Sequence, residues 1–281
     1  MSATTFRVVT AAAGVWVLLV FSGCVSTSTT STSGASLTKS RGSAIDPGKI
    51  VDLSYTFGPE TIYWPTAEPF KLRRVAYGRS AGGYWYVANN ISMAEHGGTH
   101  MDAPIHFAEG KITAAEVPLA NGIGPACVID VAAQAARDRD YRMTVDDVRA
   151  WEARHGRVPR GAIVVMHSGW GKFWPDKKQY LGTDKAGDVP NLHFPGFSRE
   201  ATEFLVRERD VAALAIDTPS IDYGQSKDFI AHQVLNGANK PAFENVANVD
   251  RLPATGATFL ALPLKIEDGS GGPARIVAVM P

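Results

Sequence analysis

Only two cysteines, Cys24 and Cys127, occur in the 281 residues, and no CxxC pair is present. A cysteine-rich metal site is therefore excluded. Cys127 lies in the apolar run Ala126-Cys127-Val128-Ile129 and reads as a small buried hydrophobe. Charge of one sign is also lacking, since Lys+Arg and Asp+Glu each number 28. Nucleic-acid binders carry a clear basic excess, so a phosphate backbone is not the partner. A small neutral or weakly charged molecule suits this balance better. No apolar run reaches the roughly 20 residues needed to span a bilayer as a helix, and the longest candidate, residues 8–21, falls short. Internal repeats are absent, and no GxSxG elbow surrounds Ser168, which argues against serine hydrolysis.

The N-terminus carries a different signal. Arg7 supplies a positive start, residues 8–21 an apolar core, and Ser22-Gly23-Cys24 small residues leading into a cysteine. This resembles a bacterial lipoprotein signal over residues 1–23, with Cys24 lipidated and the protein exported to the periplasmic side of the cell envelope. An ordinary cleaved signal or a retained N-terminal anchor are the alternatives. With Cys24 lipidated, no intrachain disulfide remains. Residues 24–45 are Ser/Thr-rich without hydrophobic periodicity and read as a flexible tether. The folded part, residues 46–281, fits one domain.

Within it, short β-rich runs are predicted at 50–53, 84–93, 126–131, 162–167, 211–216, 257–266 and 275–280. One helix is signalled at Thr144, which can cap it, with Asp146 and Asp147 in its first turn, Val145, Val148 and Trp151 on one face, and Gly156 as its stop. Another starts at Ser198 and turns Phe204 and Leu205 inward. Strands outnumber helices, so the predicted class is α/β, a single compact domain with a mixed sheet.

The densest polar cluster is His96-Gly97-Gly98-Thr99-His100-Met101-Asp102-Ala103-Pro104-Ile105-His106-Phe107. Paired glycines cost a helix interior about 2 kcal/mol relative to alanines, so a loop entering an extended segment is the better reading. Alternation in an extended chain puts His100 and Asp102 on one face, the glycines return His96 to it, and Pro104 redirects the chain so that His106 reaches the same pocket. Two imidazoles and a carboxylate form a three-ligand metal site with a position open for water. Such an ion acidifies water and polarises a carbonyl. Gly97 stands where HExxH proteases have their glutamate, so the base comes from elsewhere, and His106 is the nearest candidate.

These twelve residues resemble the signature HxGTHxDxPxHF of the cyclase family of metal-dependent hydrolases, which includes kynurenine formamidases and isatin hydrolases. The resemblance continues through Ser220-Ile-Asp222-Tyr-Gly224-Gln-Ser226-Lys-Asp228-Phe229, His232, Glu244-Asn245 and Leu262-Pro-Leu-Lys-Ile. It implies a swivelling β/β/α fold, homodimers or tetramers, and one or two divalent ions, zinc or manganese. His96, His100 and Asp102 would bind one ion, His232 and Glu244 would complete a second site with Asp102 as bridge, and His106 would be the general acid/base. Trp64 and Phe107 would line the substrate pocket, although Trp64 reads equally well as packing. By themselves His232 and Glu244 would read as ordinary exposed residues.

The expected activity is hydrolysis of a C–N bond in a small cyclic or N-formyl amide, closer to the isatin-hydrolase branch than to arylformamidases. A non-catalytic exported binding lipoprotein is the rival reading. Of the other candidates, His193 is expected in a loop that could edge the pocket. His167 is expected at a strand end near the site, His155 at a helix end without a role, and Asp217 and Asp222 as structural.

Overall fold

The unbroken apolar runs of this chain become the parallel centre of a sheet, as strands buried on both faces require. A computed structural model describes residues 45–281. The export signal, Cys24 and all but the last tether residue lie outside the described residues. In chain order the first strands are β1 (Ile50–Asp52), β2 (Lys71–Arg79), β3 (Trp85–Ser92) and β4 (His100–Asp102). Then come β5 (Ile123–Asp130), α1 (Ala132–Ala135), β6 (Arg142–Met143), α2 (Val145–His155), β7 (Ile163–His167) and α3 (Lys177–Leu181). The remainder comprises β8 (Gly196–Phe197), α4 (Arg199–Glu208), β9 (Ala213–Ile216), α5 (Ile230–Gly237), β10 (Ala242–Glu244), β11 (Thr258–Pro263) and β12 (Gly271–Val279).

The main sheet runs β1-β12-β11-β5-β7-β9-β10-β4, and β4 also pairs with β12, which closes it like a barrel. Strands β5, β7, β9 and β10 are mutually parallel, while β1, β4, β11 and β12 join antiparallel. The mixed α/β class is as predicted. Alternation sorts the strand residues into two cores. Ile163, Val165, Ala213, Ala215, Met101 and Phe243 fill one cluster with Phe259 and Ile276. Val164, Met166, Leu214 and Ile216 pack in the other with Trp151 and Val148 of α2, Phe204 and Leu205 of α4, and Leu235 of α5.

Local chemistry explains the helix starts. Thr144 Oγ1 accepts from Asp147 N–H while the Asp147 carboxylate accepts from Thr144 N–H, a reciprocal cap contributing about 1 kcal/mol. Ser198 caps α4 through Ala201 N–H. Seven elements were not predicted: β2, and the short α1, β6, α3, β8, α5 and β10. β2 lacks apolar alternation with a buried face, and the other six are too short for periodicity to register. Strands β5 and β12 begin earlier than predicted, at Ile123 and Gly271, and β11 stops at Pro263.

β2 and β3 form a separate hairpin outside the main sheet. Their register, with a bulge between Arg74 and Ala76, puts Leu72, Tyr77, Trp85, Val87 and Ile91 on one face. All five are exposed. Nothing among the described residues covers that face, and no described helix is long and apolar enough to cross a membrane.

Candidate metal centre

The site is assembled where β4 meets β10. Their antiparallel register sets Glu244 opposite His100 and Phe243 opposite Met101. Met101 and Phe243 turn into the core, so His100, Asp102 and Glu244 point to the opposite face. His96 arrives through the Gly97-Gly98 turn, where Gly98 has φ of 57°, a left-handed conformation that favours glycine. Pro104 starts a 3-10 turn, Pro104–His106, that bends the chain back and stacks His106 on His96, ring centroids 3.8 Å apart. His232 comes from the first turn of α5. Asp222 fixes that turn by accepting from the backbone N–H groups of Ala231 and His232.

All six side chains converge. Asp102 is central: its Oδ1 lies 2.6 Å from His96 Nδ1 and 3.2 Å from His100 Nε2, and its Oδ2 lies 3.0 Å from His232 Nε2. Glu244 lies 3.2 Å from His232 Nε2 and 3.5 Å from His100 Nε2. His100, Asp102, His232 and Glu244 are each at most 3% exposed. Two triples, His96–Asp102–His106 and His100–Asp102–Glu244, bring ligand atoms within 4.8 Å of one another and share Asp102.

The outer nitrogens decide what the inner ones can do. His100 Nδ1 donates to Gly98 O at 2.9 Å, and His232 Nδ1 to Asp222 Oδ2 at 2.7 Å. His96 Nε2 meets Ser270 Oγ at 2.8 Å. In the neutral tautomers these bonds fix, each ring aims its remaining lone pair at a carboxylate oxygen. Lone pair against carboxylate is repulsive unless a cation stands between them. The donor set therefore fits a divalent ion.

The proton affinities say the same. Burial opposes charge on His100 most strongly, yet Asp102 and Glu244 together outweigh it and raise its pKa to about 9. His232 is held well above its ordinary value, because Asp102, Asp222 and Glu244 likewise overcome the cost of burial. Burial, then the Asp102 charge, raises Glu244. Protons fill the place that a metal cation suits. His106 differs: burial lowers it to about 3, with Asp102 opposing and the neighbouring imidazoles reinforcing the shift. Among the described residues its ring makes no hydrogen bond, so a neutral imidazole is left free.

Beside the centre is a cavity of about 280 Å³, walled by Ile62, Trp64, Phe107 and Phe229. Trp64 both lines it and packs on Phe194 and Phe229 at 6.2 and 6.1 Å, so its two readings coexist. Phe107 lies 4.5 Å from His232 and 5.2 Å from Phe229. His193 does not edge this cavity, which corrects the expectation for it; Asp140, 2.7 Å away, holds it elsewhere. His167 does not line it either and faces Asp130. Asp217 is structural, accepting from Ser168 and from Trp170 N–H. Asp222 is more than structural, since it orients His232. Sequence reasoning missed Phe229, Ser270 and Glu95, the carboxylate on which Ser270 leans. Phe229 stood in the stretch that resembles the family and Glu95 next to His96, whereas Ser270 carried no signal.

Residues 51–223 match the Cyclase family profile, which takes in His96 to His106 but not His232 or Glu244. The isatin hydrolase of Roseibium aggregatum is 32% identical over 248 residues, 83% of this chain and 92% of that protein. A kynurenine formamidase of Erythrobacter litoralis is 28% identical over 229 residues, 82% of this chain and 93% of that one. The solved structure of isatin hydrolase A from Ralstonia solanacearum superposes with a TM-score of 0.75 at 36% identity, covering 83% and 92% of the two chains. Fold and centre together define a metal-dependent hydrolase. The chain belongs to the Cyclase family.

Proposed function

We propose that the protein hydrolyses a C–N bond in a small aryl-bearing amide, with a cyclic amide of the isatin kind favoured over an N-formyl arylamine. One observation carries the reading: three imidazoles, each with its outer N–H committed, converge through their lone pairs on two buried carboxylates beside an aromatic cavity. His96, His100, Asp102, His232 and Glu244 would hold the metal, zinc or manganese, and the two triples sharing Asp102 support room for one ion or two. A bound divalent ion supplies Lewis acidity toward a carbonyl oxygen and acidifies water. The chain's own residues do the rest. Trp64, Phe107 and Phe229 hold the aryl group and exclude water. His106, neutral and unpartnered, accepts a proton as water adds to the carbonyl and returns it to the leaving nitrogen. Identity to the isatin hydrolases above that to the formamidase supports the cyclic amide. The test is metal analysis of the purified protein together with turnover of isatin, N-formylkynurenine and a simple cyclic imide. Stoichiometric metal with no turnover of any would favour the binding-protein reading.

We also propose that residues 1–23 export the chain to the bacterial cell envelope, where Cys24 is lipid-anchored and residues 24–45 tether the domain. Residues 8–21 and Ser22-Gly23-Cys24 support this. Metabolic labelling with a fatty-acid analogue, lost in Cys24→Ala, checks it. A second copy of the chain is the proposed partner, and the uncovered face of the β2–β3 hairpin supports that.

A further inference from the structure

His96 differs from the other two inner imidazoles in presenting Nδ1, not Nε2, to Asp102. What fixes that choice lies on the far side of its ring. Ser270 Oγ donates to Glu95 Oε2 at 2.6 Å, and Ser270 N–H donates to the same oxygen at 3.1 Å. A hydroxyl has one hydrogen, so once it is given to Glu95, Oγ can only accept from His96 Nε2–H at 2.8 Å. The protonated nitrogen is thereby Nε2, and Nδ1 faces Asp102 as a bare lone pair.

The surrounding backbone is built to this arrangement. A Cβ on Gly269 would stand 2.9 Å from Glu95 Oε1, and one on Gly271 would stand 2.6 Å from His96 Cε1. The two glycines flanking Ser270 leave room for the carboxylate and the ring, as they also do for Ile266 and the Met101 carbonyl. The same loop is anchored to the metal-site strand, since Ala103 N–H donates to Ser270 O at 2.8 Å.

We propose that Glu95 and Ser270 are positioning residues that lock the tautomer and orientation of His96, so that Nδ1 is always presented to the centre. This rests on the metal-dependent reading given above. Neither residue lines the cavity, so neither touches substrate, and they act only through His96.

The experiment compares the full chain with Ser270→Ala, Glu95→Ala, Ser270→Thr and Glu95→Gln. Long-range proton–nitrogen NMR correlations report which ring nitrogen of His96 carries the proton, and chelator competition reports zinc affinity. Wild type is expected to show a proton on Nε2. Ser270→Ala and Glu95→Ala are expected to bind zinc about 10- to 100-fold more weakly, as losses of such outer partners typically do, and to mix tautomers. Thr keeps the hydroxyl and Gln keeps an accepting oxygen, so both are expected to restore affinity and tautomer. Should Ser270→Ala misfold by its melting curve, Glu95→Ala with its Gln rescue carries the comparison. Unchanged affinity and tautomer in both alanine variants would overturn the proposal. If wild type binds no divalent ion, the metal reading fails, and the relay is judged separately on the ion-free protein: a His96 Nε2 without a proton overturns it, and a protonated one lost in Ser270→Ala upholds it.

Discussion

Asp102 Oδ2 lies 3.0 Å from His232 Nε2 although 130 positions separate them in the chain. Neither residue is free to leave. Asp102 sits on β4, paired to both β10 and β12, and His232 is fixed by Asp222 through its ring and its backbone N–H. The strain of facing a lone pair with a carboxylate is thus held by the fold, and a cation relieves it. Preorganisation of this kind makes ion binding and folding stability two readings of one quantity.

Proton competition follows with a definite sign. In the ion-free protein His100 has its pKa raised from 6.5 to about 9, and His232 is raised as well. Stability from a raised histidine is fully present below the unfolded value of 6.5 and is lost as pH rises through about 9. The ion must displace these protons, so its affinity rises over the same window. The melting-temperature gain on adding zinc is expected to grow between pH 6.5 and 9, and calorimetry in buffers of different ionisation enthalpy should show net proton release. A pH-independent gain without proton release would show that the imidazoles are not displaced.

His106→Ala separates acid/base work from ligation. Its ring stacks on His96 but makes no hydrogen bond among the described residues, and burial keeps it neutral near pH 7. Turnover is expected to fall about 10²- to 10⁴-fold while zinc affinity stays within a few-fold. A matching collapse in affinity would instead make His106 a ligand of the His96–Asp102 triple.

Much of this site was legible because β4 is local. The alternation of His100 and Asp102, the Gly97-Gly98 return and the Pro104 bend all operate within eleven residues, where period and backbone rules apply directly. His232 and Glu244 are another matter. They reach the centre through α5 and β10, eight and three residues long, and no periodicity marks such short elements. Family resemblance pointed to them where residue chemistry could not. Ser270 was illegible for a further reason. Asp268-Gly-Ser-Gly-Gly reads as a turn, and only the folded chain shows that its glycines make room for Glu95 and His96. His193 misled because a Pro-rich loop has no fixed direction in sequence, and Asp140 pulls it away.

Aromatic walls should govern affinity for the aryl part of the substrate. Phe107 is wedged between His232 and Phe229, and Trp64 meets Phe229 at a tilt and Phe194 edge-on. Each aromatic contact is worth about 0.5–1.5 kcal/mol beyond its buried area. Trp64→Ala is expected to raise KM for an aryl amide by about 3- to 10-fold, with little change for a small aliphatic imide and little change in kcat. Equal effects on both substrates would reduce Trp64 to a packing residue.

The β2–β3 hairpin supplies the last expectation. A lone two-stranded hairpin is marginal in water, and this one leaves Leu72, Tyr77, Trp85, Val87 and Ile91 exposed on a single face. Residues 71–92 carry Lys71, Arg73, Arg74 and Arg79 and no acidic side chain, within a chain of zero net charge. Another copy of this protein offers a matching apolar face. The apolar face also continues into a groove shared by Ile91, Phe57, Phe70, Leu262 and Leu264, with the last two exposed. Analytical ultracentrifugation is expected to give a dimer for wild type and a monomer for Tyr77→Lys/Trp85→Lys. The melting temperature of the monomer's own core should change little, because both side chains already face solvent. A double variant that keeps the dimer mass would place the interface elsewhere, and binding of wild type to anionic vesicles would make the hairpin a lipid contact instead.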